Sequence, residues 1–148
     1  MNCPICAGEA RRVFEKHSYW VCDCVSCSHR FCEMTPDDDH LSQVYGDAYF
    51  TEGGAGYADY LAEADLLIAH GRRYGQMLKR HMQPGRVLDV GAAAGFILKG
   101  LTEEGWSGDG VEPNPRMAAH ARQAHGLNVQ PGSLESVQAD GEYDLVSM

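Results

Sequence analysis

Two sets of residues in this 148-residue chain have types and spacings that can do chemistry. The first is a pair of C-x2-C knuckles, Cys3-Pro4-Ile5-Cys6 and Cys24-Val25-Ser26-Cys27, with seventeen residues between them. Each knuckle lets two sulfurs grip one ion from a tight turn, and the spacer is long enough for one hairpin, so Cys3, Cys6, Cys24 and Cys27 are expected to form a four-thiolate zinc site. Four thiolates close the coordination sphere, which makes that metal structural rather than catalytic. Cys22 stands two positions before Cys24 and would break the symmetry of the knuckles. Cys22 and Cys32 are therefore read as small hydrophobic residues, and His17 and His29 as surface side chains.

The second set surrounds Val87-Leu88-Asp89-Val90-Gly91-Ala92-Ala93-Ala94-Gly95. An apolar run fit for a buried strand carries an acid near its end, turns through Gly and Ala only, and re-emerges with helical periodicity. Such a turn brings bare backbone and a helix amino terminus against a bound molecule. The interval Gly91 to Gly95 is one residue short of the spacing expected at a dinucleotide site, and Asp89 would repel a diphosphate. A carboxylate suits a ligand carrying an ammonium and a sulfonium. Glu112, twenty-three residues beyond Asp89, is placed to accept hydrogen bonds from vicinal ribose hydroxyls.

The elements that must position these residues follow from periodicity. Short strands are expected at 12–15 and 19–22 around Lys16-His17-Ser18, with a third at 30–32. The acid-rich stretch 35–40 reads as a solvated linker in preference to an Asp/His metal site. The stretch 45–57 mixes tyrosines with glycines and is expected to pack as a strap, with a lid role for Tyr49 or Tyr57 as the lesser alternative. A helical pattern spans 59–81, where Gly71 and Gly75 fall at positions that suit close helix packing, and Pro84-Gly85 ends it.

From there strands and helices alternate: strand 86–90, helix 95–104, strand 108–112, helix 116–125, strand 127–130, a brief helical turn at 134–137 and strand 143–148. Asn114 and Pro115 open the second of these helices and Gly126 closes it. The pattern implies right-handed crossovers and an α/β fold with a Rossmann-like, doubly wound parallel sheet, preceded by a zinc-ribbon-like β unit. The expected organisation is a metal-binding unit at 1–34, a linker or lid at 35–58, and the front half of a cofactor-binding domain at 59–148. A last strand with no helix behind it predicts a longer natural domain, or self-association or a partner that completes the sheet edge.

Composition narrows the classes. Hydrophobic content of 44% and charged content of 22% fit a globular protein. A net charge of −9 argues against a nucleic-acid backbone as main partner. All six cysteines lie within the first 32 residues; with no charged and apolar leader at Met1-Asn2-Cys3-Pro4, metal in a cytoplasmic protein is expected over disulfides. No apolar run is long enough to span a bilayer.

The segment 87–95 resembles the first motif of the class I S-adenosylmethionine-dependent methyltransferases, D-x-G-x-G-x-G after the first strand. Glu112-Pro113-Asn114 resembles their acidic second motif, Gly132-Ser133-Leu134 the segment after their third strand, and Tyr143-Asp144-Leu145-Val146 their fourth strand. The front, with its cysteine pairs and Tyr-rich link, is similar to a bacterial subgroup of small-molecule methyltransferases with an amino-terminal zinc knuckle. The resemblance implies that Asp89 serves the methionyl amine, directly or through a water. It gives the turn of Gly91, Ala92, Ala93 and Gly95 to close backbone approach, Glu112 with Pro113 to the ribose, and Ser133 with Leu134 to the adenine side. The chain departs from the pattern at Ala93, where the family has its middle glycine, so a methyl group stands where the cofactor passes. The implied activity is methyl transfer to an oxygen, nitrogen or carbon of a small acceptor, and no residue is singled out as a catalytic base. Two alternatives stand beside it: a zinc-ribbon interaction module on a non-catalytic methyltransferase-like half-domain, and, more weakly, a nicotinamide-dependent oxidoreductase.

Overall fold

The computed structural model describes residues 1–34, 45–53, 56–136 and 141–148. The linker stretch 35–40, the Gly54-Ala55 pair and Val137 at the end of the expected helical turn lie outside the described residues. The chain divides into two units, Met1–Asp37 and Asp38–Met148.

The first unit is a three-stranded antiparallel sheet, β1 (Ala10–Lys16), β2 (Tyr19–Cys24) and β3 (Arg30–Cys32), in that order. The β1–β2 hairpin turns through His17 and Ser18 at φ 52° and 65°, the two left-handed positions of a type I′ turn. A register shift between Arg12 and Phe14 lets β1 pair with β2 from Lys16↔Tyr19 down to Ala10↔Cys24. Bidentate pairs from Arg12 to Glu33 and from Arg30 to Asp23 lie on its surface.

The second unit is built on a four-stranded parallel sheet. Its strands are β4 (Arg86–Val90), β5 (Ser107–Glu112), β6 (Asn128–Pro131) and β7 (Leu145–Ser147), in the order β6-β5-β4-β7. The chain steps outward from β4 to β6, then returns to the opposite side of β4 for β7, so the order reverses beside β4. Ligands of open α/β sheets sit at the carboxyl ends of the strands flanking such a reversal. The α/β class and parallel sheet are those expected from the alternating pattern.

Among the described residues, four helices accompany the sheet: α1 (Asp47–Thr51), α2 (Ala64–Leu78), α3 (Phe96–Glu103) and α4 (Pro115–His125). The expected helix over 59–81 is shorter than its apolar period. It opens as a 3-10 turn at Leu61–Glu63 and closes at Leu78 with Lys79 as its carboxyl-terminal cap, before the region where Pro84 restricts Gln83 and leaves the carbonyl of residue 80 without a donor. Gly71 of α2 and Gly100 of α3 meet backbone to backbone: a Cβ on Gly71 would strike the Ile97 carbonyl, and one on Gly100 the Ile68 carbonyl. At α4, Asn114 Oδ1 accepts from the Arg116 and Met117 amides at 3.0 and 3.1 Å, Pro115 occupies the first turn, and Gly126 closes the helix at φ 66°. These caps are the ones read from the sequence.

Among the described residues, two apolar clusters hold this unit. Val87, Leu98, Leu101, Trp106, Ala118, Ala121 and Val129 lie between helices and sheet. Phe50, Tyr60, Ala93, Ala94, Phe96 and Met117 lie where the segment before α2 meets the Gly/Ala turn. No helix among the described residues is long and apolar enough to cross a membrane.

Candidate functional site

The turn after β4 is left-handed three times, at Gly91 (φ 78°), Ala93 (φ 48°) and Gly95 (φ 78°). Glycine accepts that backbone freely, whereas alanine there costs about 1–2 kcal/mol. The Gly91 and Ala92 amides donate to the Val111 carbonyl at 2.8 and 3.0 Å, which fixes the turn to the end of β5. Gly95 then becomes the amino-terminal cap of α3.

Glu112, 3% exposed, is the centre of the arrangement. Its Oε2 accepts from the Ala93 amide and its Oε1 from the Asn114 amide, both at 2.7 Å. Each carboxylate oxygen keeps a further lone pair for a ligand hydroxyl. Burial pushes the Glu112 carboxyl above its usual range, against the pull of those two amides. Asp89 is 6% exposed, and its Oδ1 accepts from Ser147 Oγ at 2.7 Å. Burial pushes Asp89 up to about 6, with the Ser147 hydroxyl opposing and the Glu112 charge adding.

A cleft of about 600 Å³ opens over Glu112. One side is Gly91, Ala93, Val111, Glu112 and Pro113; a second is Gly132, Ser133, Leu134 and Glu135; the third is aromatic, with Tyr45, Tyr49, Phe50, Tyr57 and Tyr60. No Lys or Arg is among its described lining residues. The aromatic side comes from the strap. The Tyr57 amide donates to the Tyr49 carbonyl at 2.7 Å and the Tyr60 amide to the Phe50 carbonyl at 2.9 Å. The rings meet edge to face, Tyr49 with Phe50 and Tyr57, and Tyr57 with Tyr60. Tyr60 stacks on Phe96 at 5.3 Å. Asn114 Nδ2 donates to the Tyr45 carbonyl at 3.2 Å and to Asp47 Oδ1 at 3.1 Å, which ties the strap to the loop that carries Glu112. Strap and core packing therefore coexist: Phe50 and Tyr60 are buried, while Tyr49 and Tyr57 are half-buried at the cleft.

Of the residues singled out from the sequence, Gly91, Ala93, Glu112, Pro113, Ser133 and Leu134 line one cleft. Asp89, Ala92 and Gly95 do not. Asp89 lies in β4 on the Ser147 hydroxyl, Ala92 packs into the core against Gly110, and Gly95 faces Leu127 and Ala121. The brief helical turn expected after Ser133 is described only as far as Ser136. The Ser133 amide donates to Ser136 Oγ at 2.9 Å, and Leu134–Ser136 form a turn. The sequence reading missed Ser147, Tyr60 and the second role of Asn114. The Tyr-rich spacing was the available signal for Tyr60, but nothing local marks the other two.

In the first unit, Cys3, Cys6, Cys24 and Cys27 bring their sulfurs within 4.8 Å of one another. The recorded separations are 3.7 Å for Cys3–Cys27, 3.5 Å for Cys6–Cys24 and 3.4 Å for Cys6–Cys27. A tetrahedral ion with metal–sulfur bonds of about 2.3 Å needs sulfurs about 3.8 Å apart, so the set fits zinc. The two knuckles share three of their hydrogen bonds, and the second adds one from the Cys27 amide to Cys24 Sγ at 3.4 Å. Ile5 and Ser26 amides donate to Cys3 and Cys24 Sγ at 3.4 Å, Ala7 and Ser28 amides to the Cys3 and Cys24 carbonyls, and Cys3 and Cys24 amides to the Gly8 and His29 carbonyls. Ala7 and Ser28 share the left-handed backbone that closes each turn, at φ 57° and 61°. The Cys27 amide, then burial in opposition, then the Ser26 amide set the Cys24 thiol down at about 6. Cys22 is fully buried and outside the set; Cys32 is exposed and outside it.

A family model described as a methyltransferase domain matches residues 60–148. No curated protein matches the chain. Among solved structures, a SAM-dependent methyltransferase from Thermotoga maritima, described as a possible histamine N-methyltransferase, is 26% identical with a TM-score of 0.40 over 59% of this chain and 42% of its own. A SAM-dependent methyltransferase from Leishmania major is 28% identical with a TM-score of 0.48, over 77% of this chain and 51% of its own. The plantazolicin methyltransferase BpumL in complex with SAH is 17% identical with a TM-score of 0.43, over 75% of this chain and 40% of its own. The chain spans about half or less of the length of these structures.

Proposed function

Because the chain belongs to the methyltransferase-domain family, whose model covers residues 60–148, we propose that its cleft binds S-adenosylmethionine and that the protein methylates a small-molecule acceptor. The observation that carries this reading is Glu112: a buried carboxylate, oriented by two backbone amides at 2.7 Å, lining a cleft that has no Lys or Arg among its described residues. A diphosphate has no cation to meet there, which weighs against the nicotinamide reading. A ligand with a ribose diol and a net positive sulfur suits it.

In this assignment Glu112 accepts from the ribose hydroxyls. Gly91 and Ala93 allow close backbone approach, and Pro113, Ser133 and Leu134 border the base. Asp89 serves the methionyl amine through a water, since neither its carboxylate nor the Ser147 hydroxyl bound to it lines the cleft. The bound donor supplies an activated methyl group. The chain's own contribution is alignment of that group with the acceptor and exclusion of water. Tyr60 stays protonated because burial, with the neighbouring Tyr57, Asp89 and Glu112, pushes its phenol up. In the other unit, Cys3, Cys6, Cys24 and Cys27 are assigned a structural zinc, with no role in the transfer.

The test is calorimetric titration of S-adenosylhomocysteine into the zinc-loaded protein. Micromolar binding is expected, weakened about a hundredfold or more in Glu112→Ala, since two hydrogen bonds to a charged acceptor are removed. A folded protein that binds no S-adenosylhomocysteine overturns the reading and moves the function to the cysteine unit as an interaction module.

A further inference from the structure

We propose that the outer face of α2 is the surface through which two copies of this chain pair, helix against helix and antiparallel. The inference stands apart from the cofactor reading and concerns a different part of the second unit.

Its starting point is where the large exposed apolar side chains of that unit fall. Among the described residues, Tyr45, Leu134 and Met148 belong to the cleft and Val146 to β7. Leu66, Tyr74 and Met77 remain, and all three stand on α2. Helical spacing separates two stripes on this helix. Ile68, Gly71, Gly75 and Leu78 recur at three and four residues on the inward side, where Gly71 meets the α3 backbone and Gly75 meets Glu104 and Trp106. Leu66, Ala69, Arg73 and Met77 recur in the same way on the opposite side, and each is exposed. A monomer ordinarily keeps polar residues on the face opposite a helix's core stripe. Leu66 and Met77 there, with Tyr74 beside them, call for a partner.

Charge says which partner. Between Arg30 and Arg72 the sequence has no Lys or Arg, and between Asp65 and Asp89 it has no Asp or Glu. The α2 segment therefore begins acidic, at Glu63 and Asp65, and ends basic, with Arg72, Arg73, Lys79 and Arg80. Arg72 and Lys79 are engaged by Glu103 and Glu104, whereas Arg73 and Arg80 have no ion pair among the described residues. A second α2 laid antiparallel sets each acidic end on the other's basic end and brings Leu66 of each copy over Met77 of the other. A parallel copy would oppose like charges. The antiparallel contact is isologous, so every favourable pair occurs twice. A helix of 15 residues is about 22 Å long. Such a contact is small for a specific interface, which sets the expected dissociation constant in the micromolar range.

The experiment is sedimentation velocity of the full chain, zinc-loaded, across a concentration series reaching the hundred-micromolar range. Two variants reverse the charge at opposite ends of the helix, Glu63→Lys with Asp65→Lys, and Arg73→Glu with Arg80→Glu. None of these residues lines the cleft, and circular dichroism checks that each variant is folded. Wild type is expected to pass from monomer to dimer with a micromolar midpoint. Either variant alone should pair about thirtyfold more weakly or worse, since both ends of its helix then carry one sign, and an equimolar mixture of the two should dimerise again. Leu66→Ala should weaken wild-type pairing about tenfold, because the lost contact occurs twice. A wild type that stays monomeric throughout overturns the proposal. So does a dimer that both charge variants retain, which moves the contact to β7 or to the cysteine unit. A mixture that stays monomeric although both components are folded overturns it as well.

Discussion

The two units solve the same problem with different means. In the cysteine unit the buried residues among those described are Cys3, Cys22 and Cys24, and two of the three are proposed metal ligands. Its aliphatic and aromatic side chains are largely outside: Ile5 is 71% and Val25 58% exposed, each on the outer rim of a knuckle. The sheet unit buries Phe50, Tyr60, Phe96, Leu98, Leu101, Trp106 and Met117 in two clusters. With the proposed zinc bound, one fold is held at a point by coordinate bonds, the other across an area by apolar packing. The first should respond to chelation and thiol chemistry, the second to volume, charge burial and backbone strain.

The largest test of that contrast is removal of the metal. Structural zinc supplies about 10–16 kcal/mol in small units of this type. Chelation, or Cys27→Ser, is expected to abolish amide protection across β1–β3 while protection in β4, β5 and α3 is unchanged, as read by hydrogen exchange. Concerted loss in both units would break the comparison.

A smaller effect separates the units by pH. Asp89 has a folded-state value of about 6 against 3.8 for an ordinary aspartate. Between those values the folded chain holds the proton more tightly than the unfolded one, so the stability this group contributes is present below 3.8 and is lost as pH rises toward 6. Asp89→Asn is expected to stabilise the sheet unit by up to about 3 kcal/mol near pH 8 and by almost nothing near pH 4. Urea denaturation at the two pH values reads this. The cysteine unit should not change between wild type and variant.

The smallest effect concerns Ala93. Glycine would relieve its left-handed backbone, worth about 1–2 kcal/mol, but would restore about 0.5–1 kcal/mol of unfolded-state freedom. Ala93→Gly should therefore raise the melting temperature of the sheet unit by a few degrees at most, and S-adenosylhomocysteine should bind at least as tightly. A clear loss of stability would show that the methyl group contributes packing, as its place in the Phe50–Phe96 cluster allows.

What was legible in the sequence was local. Glycines at 91 and 95 mark left-handed backbone, Asn114-Pro115 and Gly126 mark helix ends, and paired cysteines mark knuckles; each signal lies within a few residues of what it specifies. The site escaped where partners are distant. Asn114 reads completely as a helix cap, yet its amide nitrogen reaches Tyr45 and Asp47, 69 and 67 positions earlier. Ser147 meets Asp89 only because β7 returns beside β4. Among the tyrosines of 45–60, nothing in the spacing separates buried Tyr60 from exposed Tyr45; the Phe96 ring decides that, from the far side of the turn.

The meeting of Gly71 with Gly100 acts as a fulcrum. Where side chains touch, a small displacement is absorbed by rotamers; where two main chains touch, nothing can yield except the helices themselves. The strap runs through the 3-10 turn directly into α2, and α2 bears on α3 at that point. The helix that carries on from Tyr57 and Tyr60 is thus seated on two residues that do not line the cleft, and a single added carbon there would force α2 and α3 apart.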